Sequence, residues 1–169
     1  MRDTTFEDAL AFGSEGEDTV ARWLMRRGVT VLPLYQFKGH EMAPKMYQAE
    51  GTMTCPDLTC FARGAFFVEV KRKRRWTRWR DRTETGCDLR LWRDYCQVAD
   101  ATRLPVFLFF LHDSGPNPGL YYGTTARLVT DVREWDGRHH KTGCRISPPL
   151  ALFPSTALRR VPLDQMETA

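Results

Sequence analysis

Six consecutive apolar residues at 106–111 constrain the fold of this chain more than any other segment. The run has the length of an ordinary β-strand and is far shorter than the roughly 18 residues that indicate a membrane-spanning helix. A strand that is apolar on both sides is typical of the interior of a sheet whose two faces are both covered. The run therefore predicts a central strand in a mixed α/β fold.

The elements predicted around this strand follow the order helix, strand, strand, strand, helix, strand. The first helix, at 13–27, has an apolar stripe at helical spacing, and Ser14 and Glu17 stand at the spacing of a capping box at its start. The other expected elements are strands at 29–34, 58–61 and 65–71, a long loop at 36–55, a helix at 89–102, and weaker signals for a strand at 120–124, a short helix at 125–132 and a strand at 150–153. With 169 residues, this order predicts one α/β domain over 1–169, with a mixed sheet between helices.

Composition and the N-terminal residues limit the class of protein. A hydrophobic content of 42% argues against a disordered chain. The start of the sequence lacks the basic and apolar stretches of a signal peptide, so we expect a cytoplasmic protein with no membrane partner. The five cysteines are odd in number and include no Cys-x-x-Cys pair, which favours free thiols and gives a zinc site no support.

Positive charge is concentrated in residues 71–82, which we call the basic arm. It contains eight Lys or Arg residues and one acid, whereas the whole chain has a net charge of +4, so the remainder is net negative. Two tryptophans interrupt the cations, and exposed tryptophans do not favour solubility. Because cations bind phosphates and indole rings stack on bases, the arm predicts nucleic-acid binding. The expected contact residues are Arg72, Lys73, Arg74, Arg75, Trp76, Arg78, Trp79 and Arg80.

The two strands before the basic arm are predicted to form a hairpin that brings chemical groups together. A three-residue turn would pair Phe61 with Ala65, which puts Asp57 opposite Glu69. Since side chains alternate along a strand, Glu69 and Lys71 share one face. The hairpin therefore predicts two carboxylates and an ammonium group at one end of the sheet.

Carboxylates that face each other across a sheet repel, and a divalent cation would offset that repulsion. Mg²⁺ takes oxygen ligands from one or two carboxylates and completes its shell with water and substrate phosphate. Asp57 and Glu69 are thus candidate ligands, and Lys71 could stabilise charge that develops on a phosphoryl group. Glu17 shares the inward face of the first helix, so it is either a further site acid or only a capping residue.

This arrangement resembles the PD-(D/E)XK nuclease superfamily, in particular its phage-type and Holliday-junction-resolvase-like endonucleases. The matching features are a helix with a glutamate, a hairpin with Pro56-Asp57 and Glu69-Val70-Lys71, then a helix and a strand over about 13–112. The resemblance implies a restriction-endonuclease-like domain with an αβββαβ core, to which 113–169 form a C-terminal extension. It implies metal ligands at Asp57, Glu69 and the Val70 carbonyl, a catalytic lysine at Lys71, an acid at Glu17, and an auxiliary polar group at Tyr95 or Gln97.

We therefore expect a Mg²⁺-dependent nuclease, with Mn²⁺ as a substitute, that hydrolyses phosphodiester bonds in branched or single-stranded DNA. Two alternatives stay open: a non-catalytic nucleic-acid-binding protein on the same fold, and an RNA-directed nuclease. The carboxylates of Asp57 and Glu69 argue against the first, because binding alone gains nothing from negative charge beside phosphate. The sequence does not separate endonuclease from exonuclease, or a monomer from a homodimer.

Overall fold

The computed structural model describes residues 6–34, 44–49, 51–114 and 117–167. The α-helices within these ranges are α1 (Phe6–Arg26), α2 (Leu89–Thr102), α3 (Thr125–Leu128) and α4 (Leu163–Glu167). The strands are β1 (Thr30–Pro33), β2 (Lys45–Gln48), β3 (Gly51–Thr54), β4 (Leu58–Phe61), β5 (Ala65–Lys73), β6 (Thr77–Trp79), β7 (Arg82–Asp88), β8 (Val106–His112), β9 (Gly119–Thr124), β10 (Arg133–Trp135), β11 (Leu150–Pro154) and β12 (Arg159–Pro162).

The apolar strand β8 lies inside a six-stranded sheet with the order β1-β4-β5-β8-β9-β12. It pairs in parallel with β5 and antiparallel with β9, and every residue from Leu108 to His112 is at most 3% exposed. The predicted mixed α/β fold, with a central mixed sheet flanked by helices, is confirmed. None of the described helices is long and apolar enough to cross a membrane.

The two faces of this sheet are covered by different layers. On one face α1 packs through Val20 and Trp23 against a cluster that includes Val68. On the other face α2 and a second sheet cover a cluster that includes Tyr95 and Phe110. Because side chains alternate along β5, each layer contacts every second residue of that strand.

The second sheet has the order β10-β11-β7-β6, and its β6–β7 hairpin contains residues 77–82 of the basic arm. The arm starts within β5, turns at residues 74–75 and continues as the β6–β7 hairpin. Strand β7 is not apparent in the sequence, because it is rich in threonine, glycine and charge rather than in alternating apolar residues. Its Glu84 is 1% exposed and pairs with Arg133, which secures the hairpin to β10.

Three predictions about elements were wrong. Helix α1 begins at Phe6, so Ser14 and Glu17 lie inside the helix and cannot form a capping box at its start. The expected loop at 36–55 contains the β2–β3 hairpin, which the buried Met53 attaches to the α2 side of the core; residues 35–43 and Glu50 lie outside the described residues. Strand β5 extends to Lys73, two residues beyond its predicted end.

The C-terminal part of the chain completes both sheets. Strands β9 and β12 extend the six-stranded sheet, whereas β11 lies between β7 and β10 in the second sheet. Leu120 of β9 and Phe153 of β11 are fully buried. These residues therefore belong to the hydrophobic core that supports the predicted site.

Gly86 gives a test of the contact between β7 and β11. A Cβ atom at this position would overlap the backbone carbonyl of Ala151, so Gly86→Ala should cost roughly 2 kcal/mol or more of the free energy of unfolding. A Cβ atom at Gly13 in α1 would have nothing within 4 Å, so Gly13→Ala should stabilise the protein by about 0.5–1 kcal/mol. Urea unfolding measures both values, and an equal effect of the two substitutions would contradict this packing.

Candidate active site

The β4–β5 hairpin holds Asp57 next to Glu69. Phe61 pairs with Ala65, as the turn length predicts. Asp57 lies one residue before β4, and its Oδ2 accepts a hydrogen bond of 2.8 Å from the backbone N–H of Val70. Asp57 is 8% exposed and Glu69 is 1% exposed, so both carboxylates are buried at the end of the hairpin.

Lys71 lies on the same face as Glu69, and its ammonium group pairs with Oε1 of that residue. The other oxygen of Glu69, Oε2, is buried and has no hydrogen-bond partner among the side chains and backbone that the structure describes. A buried carboxylate oxygen without a partner is unfavourable. Its lone pairs are therefore available to a further ligand.

Helix α1 adds Glu17 to this group of acids. The helix approaches β5 closely at Gly16, where a Cβ atom would lie 2.9 Å from Cβ of Arg72. Glu17 is partly buried, and burial together with the negative charge of Glu69 raises its pKa. Lys71 also acts on Glu17 electrostatically, so all three groups belong to one electrostatic cluster.

The protonation behaviour of Asp57 and Lys71 reflects this crowding. Burial, followed by the charge of Glu69, raises the pKa of Asp57 well above its ordinary value, despite the hydrogen bond from Val70. Burial alone would lower the pKa of Lys71, but the carboxylates of Glu69 and Asp57 outweigh it and raise that pKa. The lysine is therefore an ammonium ion at neutral pH, beside acids that resist ionisation.

The structure brings one of the two auxiliary candidates of α2 to the site. Tyr95 is 1% exposed, and burial, the charge of Glu69 and a hydrogen bond to Glu69 all raise the pKa of its hydroxyl. The hydroxyl is thus neutral and lies next to Glu69. Gln97 lies on the exposed side of α2, and the structure does not bring it to the carboxylates.

Sequence reasoning missed a second buried group next to Lys71. Lys73 follows two residues later on the same face of β5, and burial lowers its pKa. Beside it, burial raises the pKa of the Cys87 thiol to about 12 and lowers the pKa of His112 to about 4. His112 also lies 3.0 Å, from Nε2 to Oγ1, from Thr85. The alternation of side chains along β5 would have revealed this group if the predicted strand had continued past Lys71.

The cations of the basic arm differ in how far they are exposed. Arg72 forms ion pairs with Glu15 and Asp113, and Lys73 lies under β7, so neither extends freely from the arm. The cations that are exposed at the surface are Arg74, Arg75, Arg78, Arg80 and Arg82. The predicted binding surface therefore corresponds to the β6–β7 hairpin and the bend before it.

The two tryptophans of the arm have different environments. Trp76 stacks on His112 with ring centroids 3.8 Å apart and packs against the core, so it is not the exposed stacking platform that the sequence suggested. Trp79 is 37% exposed, and the guanidinium group of Arg133 lies 4.8 Å from its ring. Trp79 remains the aromatic candidate for nucleic-acid contact.

The donors at the site suit a hard cation with an incomplete protein shell. Within the described ranges, no three His, Cys, Asp or Glu side chains form a complete metal site. Mg²⁺ needs only one or two carboxylates from the protein, since water and substrate phosphate supply the rest. Asp57 and Glu69 meet this requirement, and the unpartnered Oε2 of Glu69 is the atom that most needs such a ligand.

Comparisons with known proteins bear on the fold. No family model and no curated protein sequence matches the chain. Among solved structures, it is similar to Hjc, a Holliday junction resolvase from the archaeal hyperthermophile Archaeoglobus fulgidus, with a TM-score of 0.51 and 12% identity over 86% of this chain and 90% of that one. A nuclease from a fusselovirus, D212, aligns with a TM-score of 0.44 and 8% identity over 95% of this chain and 88% of that one.

The similarity to Hjc spans most of both chains, and the hairpin that carries Asp57 and Glu69 belongs to the central sheet of this protein. At 12% identity the similarity concerns the fold, a mixed sheet between helices. The chain therefore has the mixed α/β fold expected from its sequence, and it shares that fold with an archaeal Holliday junction resolvase.

Proposed function

We propose that this protein is a Mg²⁺-dependent nuclease that hydrolyses phosphodiester bonds in DNA, with branched DNA as the favoured substrate. The observation that carries the proposal is the burial of Asp57 and Glu69 beside Lys71, with an oxygen of Glu69 that lacks a partner within the described chain. The similarity to a junction resolvase in fold, and the basic β6–β7 hairpin next to the site, support the choice of substrate.

Asp57 and Glu69, with the backbone carbonyl of Val70, are the groups that would hold the cation. A divalent cation bound there would act as a Lewis acid that neutralises charge developing on the phosphodiester. Burial raises the pKa of Asp57 and Glu17, and repulsion by Glu69 raises both further; a bound cation would relieve that repulsion. The donors are all oxygen atoms, which suits Mg²⁺ and Mn²⁺ better than a thiol-binding metal.

The protein's own groups position and stabilise the reacting phosphate. Lys71 stays protonated because the neighbouring carboxylates raise its pKa, and its side chain is 29% exposed, so it can contact a substrate. Its ammonium group would donate to the negative charge that builds up on the phosphate oxygens. The neutral hydroxyl of Tyr95 lies beside Glu69, and β5 keeps Lys71 in register with Glu69.

Branched DNA is favoured over single strands because the aromatic surface is smaller than the sequence suggested. Trp76 is packed on His112, which leaves Trp79 as the exposed ring of the arm. Stacking on several aromatic residues is the usual means of binding single strands.

A panel of labelled duplex, single-stranded, flap and four-way DNA, and a matched RNA, each with Mg²⁺ and with EDTA, tests the proposal. Binding without cleavage of any substrate would favour the non-catalytic alternative.

Lys71→Ala should lower the cleavage rate at saturating substrate by about 10²–10³-fold, the usual effect of losing one preorganised donor to a developing charge. The affinity for DNA should fall only as far as the loss of one phosphate contact requires. Arg75→Ala is the matched control, since Arg75 is exposed in the arm, and it should weaken binding while the saturated rate stays unchanged. If both variants lose affinity alike and keep their rates, Lys71 is only part of the basic surface.

Asp57→Asn should abolish cleavage and raise the melting temperature of the metal-free protein. The raised pKa of Asp57 means that its contribution to stability is present below about pH 4, the ordinary carboxyl value, and is lost as the pH rises through the raised value. The amide removes that loss, so the melting temperature of the variant should exceed that of the wild type by an amount that grows as the pH rises above about 4.

Mg²⁺ should raise the melting temperature of the wild type at pH 8 and leave Asp57→Asn nearly unaffected. The measurement is differential scanning calorimetry in EDTA and in Mg²⁺, and it requires no activity. Glu15→Gln is a suitable control, because Glu15 is exposed on α1 and pairs with Arg72 outside the carboxylate cluster. An equal response to Mg²⁺ in the wild type and in Asp57→Asn would rule out a metal site at Asp57.

Replacing Arg75, Arg78, Arg80 and Arg82 by Gln should flatten the salt dependence of DNA binding. Each phosphate contact contributes about 0.9 to the slope of log K against log salt on duplex DNA, so the slope should change by up to about 3.6. The control replaces four exposed arginines elsewhere, Arg22, Arg63, Arg90 and Arg127, which removes the same charge. If both sets change the slope equally, the hairpin is not the DNA-binding surface.

A further inference from the structure

A polar cavity lies beyond the end of β5, away from the carboxylate cluster. It encloses about 390 Å³ between the β6–β7 hairpin, the start of β9 and the segment that connects β11 to β12. Its lining includes Trp76, Arg78, Thr83, Tyr121, Thr156 and Arg160. The proposed function assigns no role to this cavity.

The lining of the cavity is positively charged and rich in hydrogen-bonding groups. Its two charged residues are Arg78 and Arg160, and no carboxylate of the described chain lines it. Arg78 forms no ion pair with a described acid, and Arg160 is held by a hydrogen bond from its guanidinium group to the carbonyl of Pro118. Glu84, the buried acid of the same hairpin, is already paired with Arg133. The cavity therefore favours an anion, and arginine is well suited to phosphate.

Aromatic rings make one wall of the cavity rigid. Trp76 stacks on His112, and the ring of Tyr121 stands against Trp76 at an interplanar angle of 87°. The hydroxyl of Tyr121 donates a hydrogen bond of 2.9 Å to the carbonyl of Asn117. The guanidinium group of Arg160 lies 5.9 Å from the centre of the Tyr121 ring, so the lining combines aromatic rings with cations. Such a lining suits a ligand that has both an anionic part and an apolar or ring-shaped part.

The volume of the cavity indicates the size of that ligand. A cavity of about 390 Å³ lies at the lower end of the range of small-molecule pockets, roughly 300–1,000 Å³, and is larger than a single phosphate group needs. A nucleotide, with a phosphate, a sugar and a base, matches both the size and the chemistry. Thr83, Ser155 and Thr156 provide hydroxyl groups for its polar edges.

The cavity lies on the same side of the six-stranded sheet as the carboxylate cluster. Trp76 and Tyr121 pack with Tyr95 in the core on the α2 side. Trp76 rests on His112, which pairs across the sheet with Lys73. Lys73 follows Lys71 by roughly 7 Å at the usual rise of a strand. A nucleic-acid strand at Lys71 thus reaches the cavity within a few nucleotides.

We propose that this cavity binds one nucleotide of the substrate strand that flanks the scissile phosphodiester, with its phosphate between Arg78 and Arg160. That this nucleotide belongs to a strand which the protein cuts rests on the proposed nuclease function. That the cavity binds a nucleotide does not depend on it. The pocket fixes how far a strand extends past the carboxylate cluster, and so it positions the phosphodiester that is cut.

The test measures binding in EDTA, where no cleavage occurs. A fluorescently labelled 12-residue oligothymidylate is titrated with the wild type, with Arg78→Gln/Arg160→Gln, and with the control Arg63→Gln/Arg159→Gln, by anisotropy. Both double variants lose two positive charges, and the two control residues are exposed and lie outside both the cavity lining and the basic arm. We expect the pocket variant to bind at least tenfold more weakly than the control. Equal weakening in the two variants would overturn the proposal.

Mononucleotides separate a nucleotide pocket from a general anion site. Thymidine 5′-monophosphate should raise the melting temperature of the wild type and of the control, but not of the pocket variant, and inorganic phosphate at the same concentration should have a smaller effect. Equal shifts with phosphate and nucleotide would overturn the nucleotide assignment. If Arg160→Gln fails to fold, Thr83→Glu introduces a carboxylate into the pocket, with Thr52→Glu at an exposed position of β3 as its control.

The two proposals fail in different ways. A protein that binds nucleotides in the cavity but cleaves no nucleic acid in Mg²⁺ would contradict the proposed function and leave the pocket intact. A protein that cleaves DNA, but whose pocket and control variants bind and cleave alike, would contradict the pocket and leave the nuclease function intact.

Discussion

The parallel pairing of β5 with β8 is the interaction on which the rest of this structure depends. Seven residue pairs, from Phe67 with Val106 to Lys73 with His112, join a strand that carries chemistry to one that is almost wholly apolar. Since β8 is buried on both faces, it cannot shift without exposing large apolar side chains to water. The position of Glu69 along the sheet is thereby determined by hydrophobic burial rather than by its own charge.

That rigidity has an electrostatic cost at the carboxylate cluster. Three acids lie near one another with Lys71 as their adjacent cation, and two of them, Asp57 and Glu17, have raised pKa values because of burial and mutual repulsion. A core of the same size without these charges would be more stable, as is usual where a functional site requires unfavourable contacts. A bound cation would remove the repulsion among these acids, so the stability of the protein and the binding of the cation are coupled.

The sequence predicted the parts of this structure whose signals are local. The apolar run of β8 and the stripe of α2 need no other segment to be recognised, and the three-residue turn alone determined that Phe61 pairs with Ala65. That pairing brought Asp57 to Glu69, so the centre of the candidate site followed from one short hairpin. The placement of Tyr95 at Glu69 was one of two options that the sequence left open.

Features that depend on distant partners were not predictable in this way. Strand β7 is polar, and it forms because β11, more than sixty residues later, provides the backbone partner and the core contacts. The burial of Trp76 depends on His112, and the capping-box interpretation of Glu17 failed because α1 extends upstream of Ser14. A local pattern cannot show that a charged or aromatic residue is covered by a segment far along the chain.

The position of β11 between β7 and β10 has a consequence for biosynthesis. The β6–β7 hairpin has its full set of strand neighbours only after Leu150–Pro154 has left the ribosome, because β11 separates it from β10. Domains form during synthesis from the N-terminal side, and long-range strand pairing is slow. The carboxylate hairpin and β8 are therefore complete on the nascent chain well before the cationic surface is. A ribosome-bound intermediate would therefore carry the acidic site together with a cationic segment that is not yet held in the second sheet.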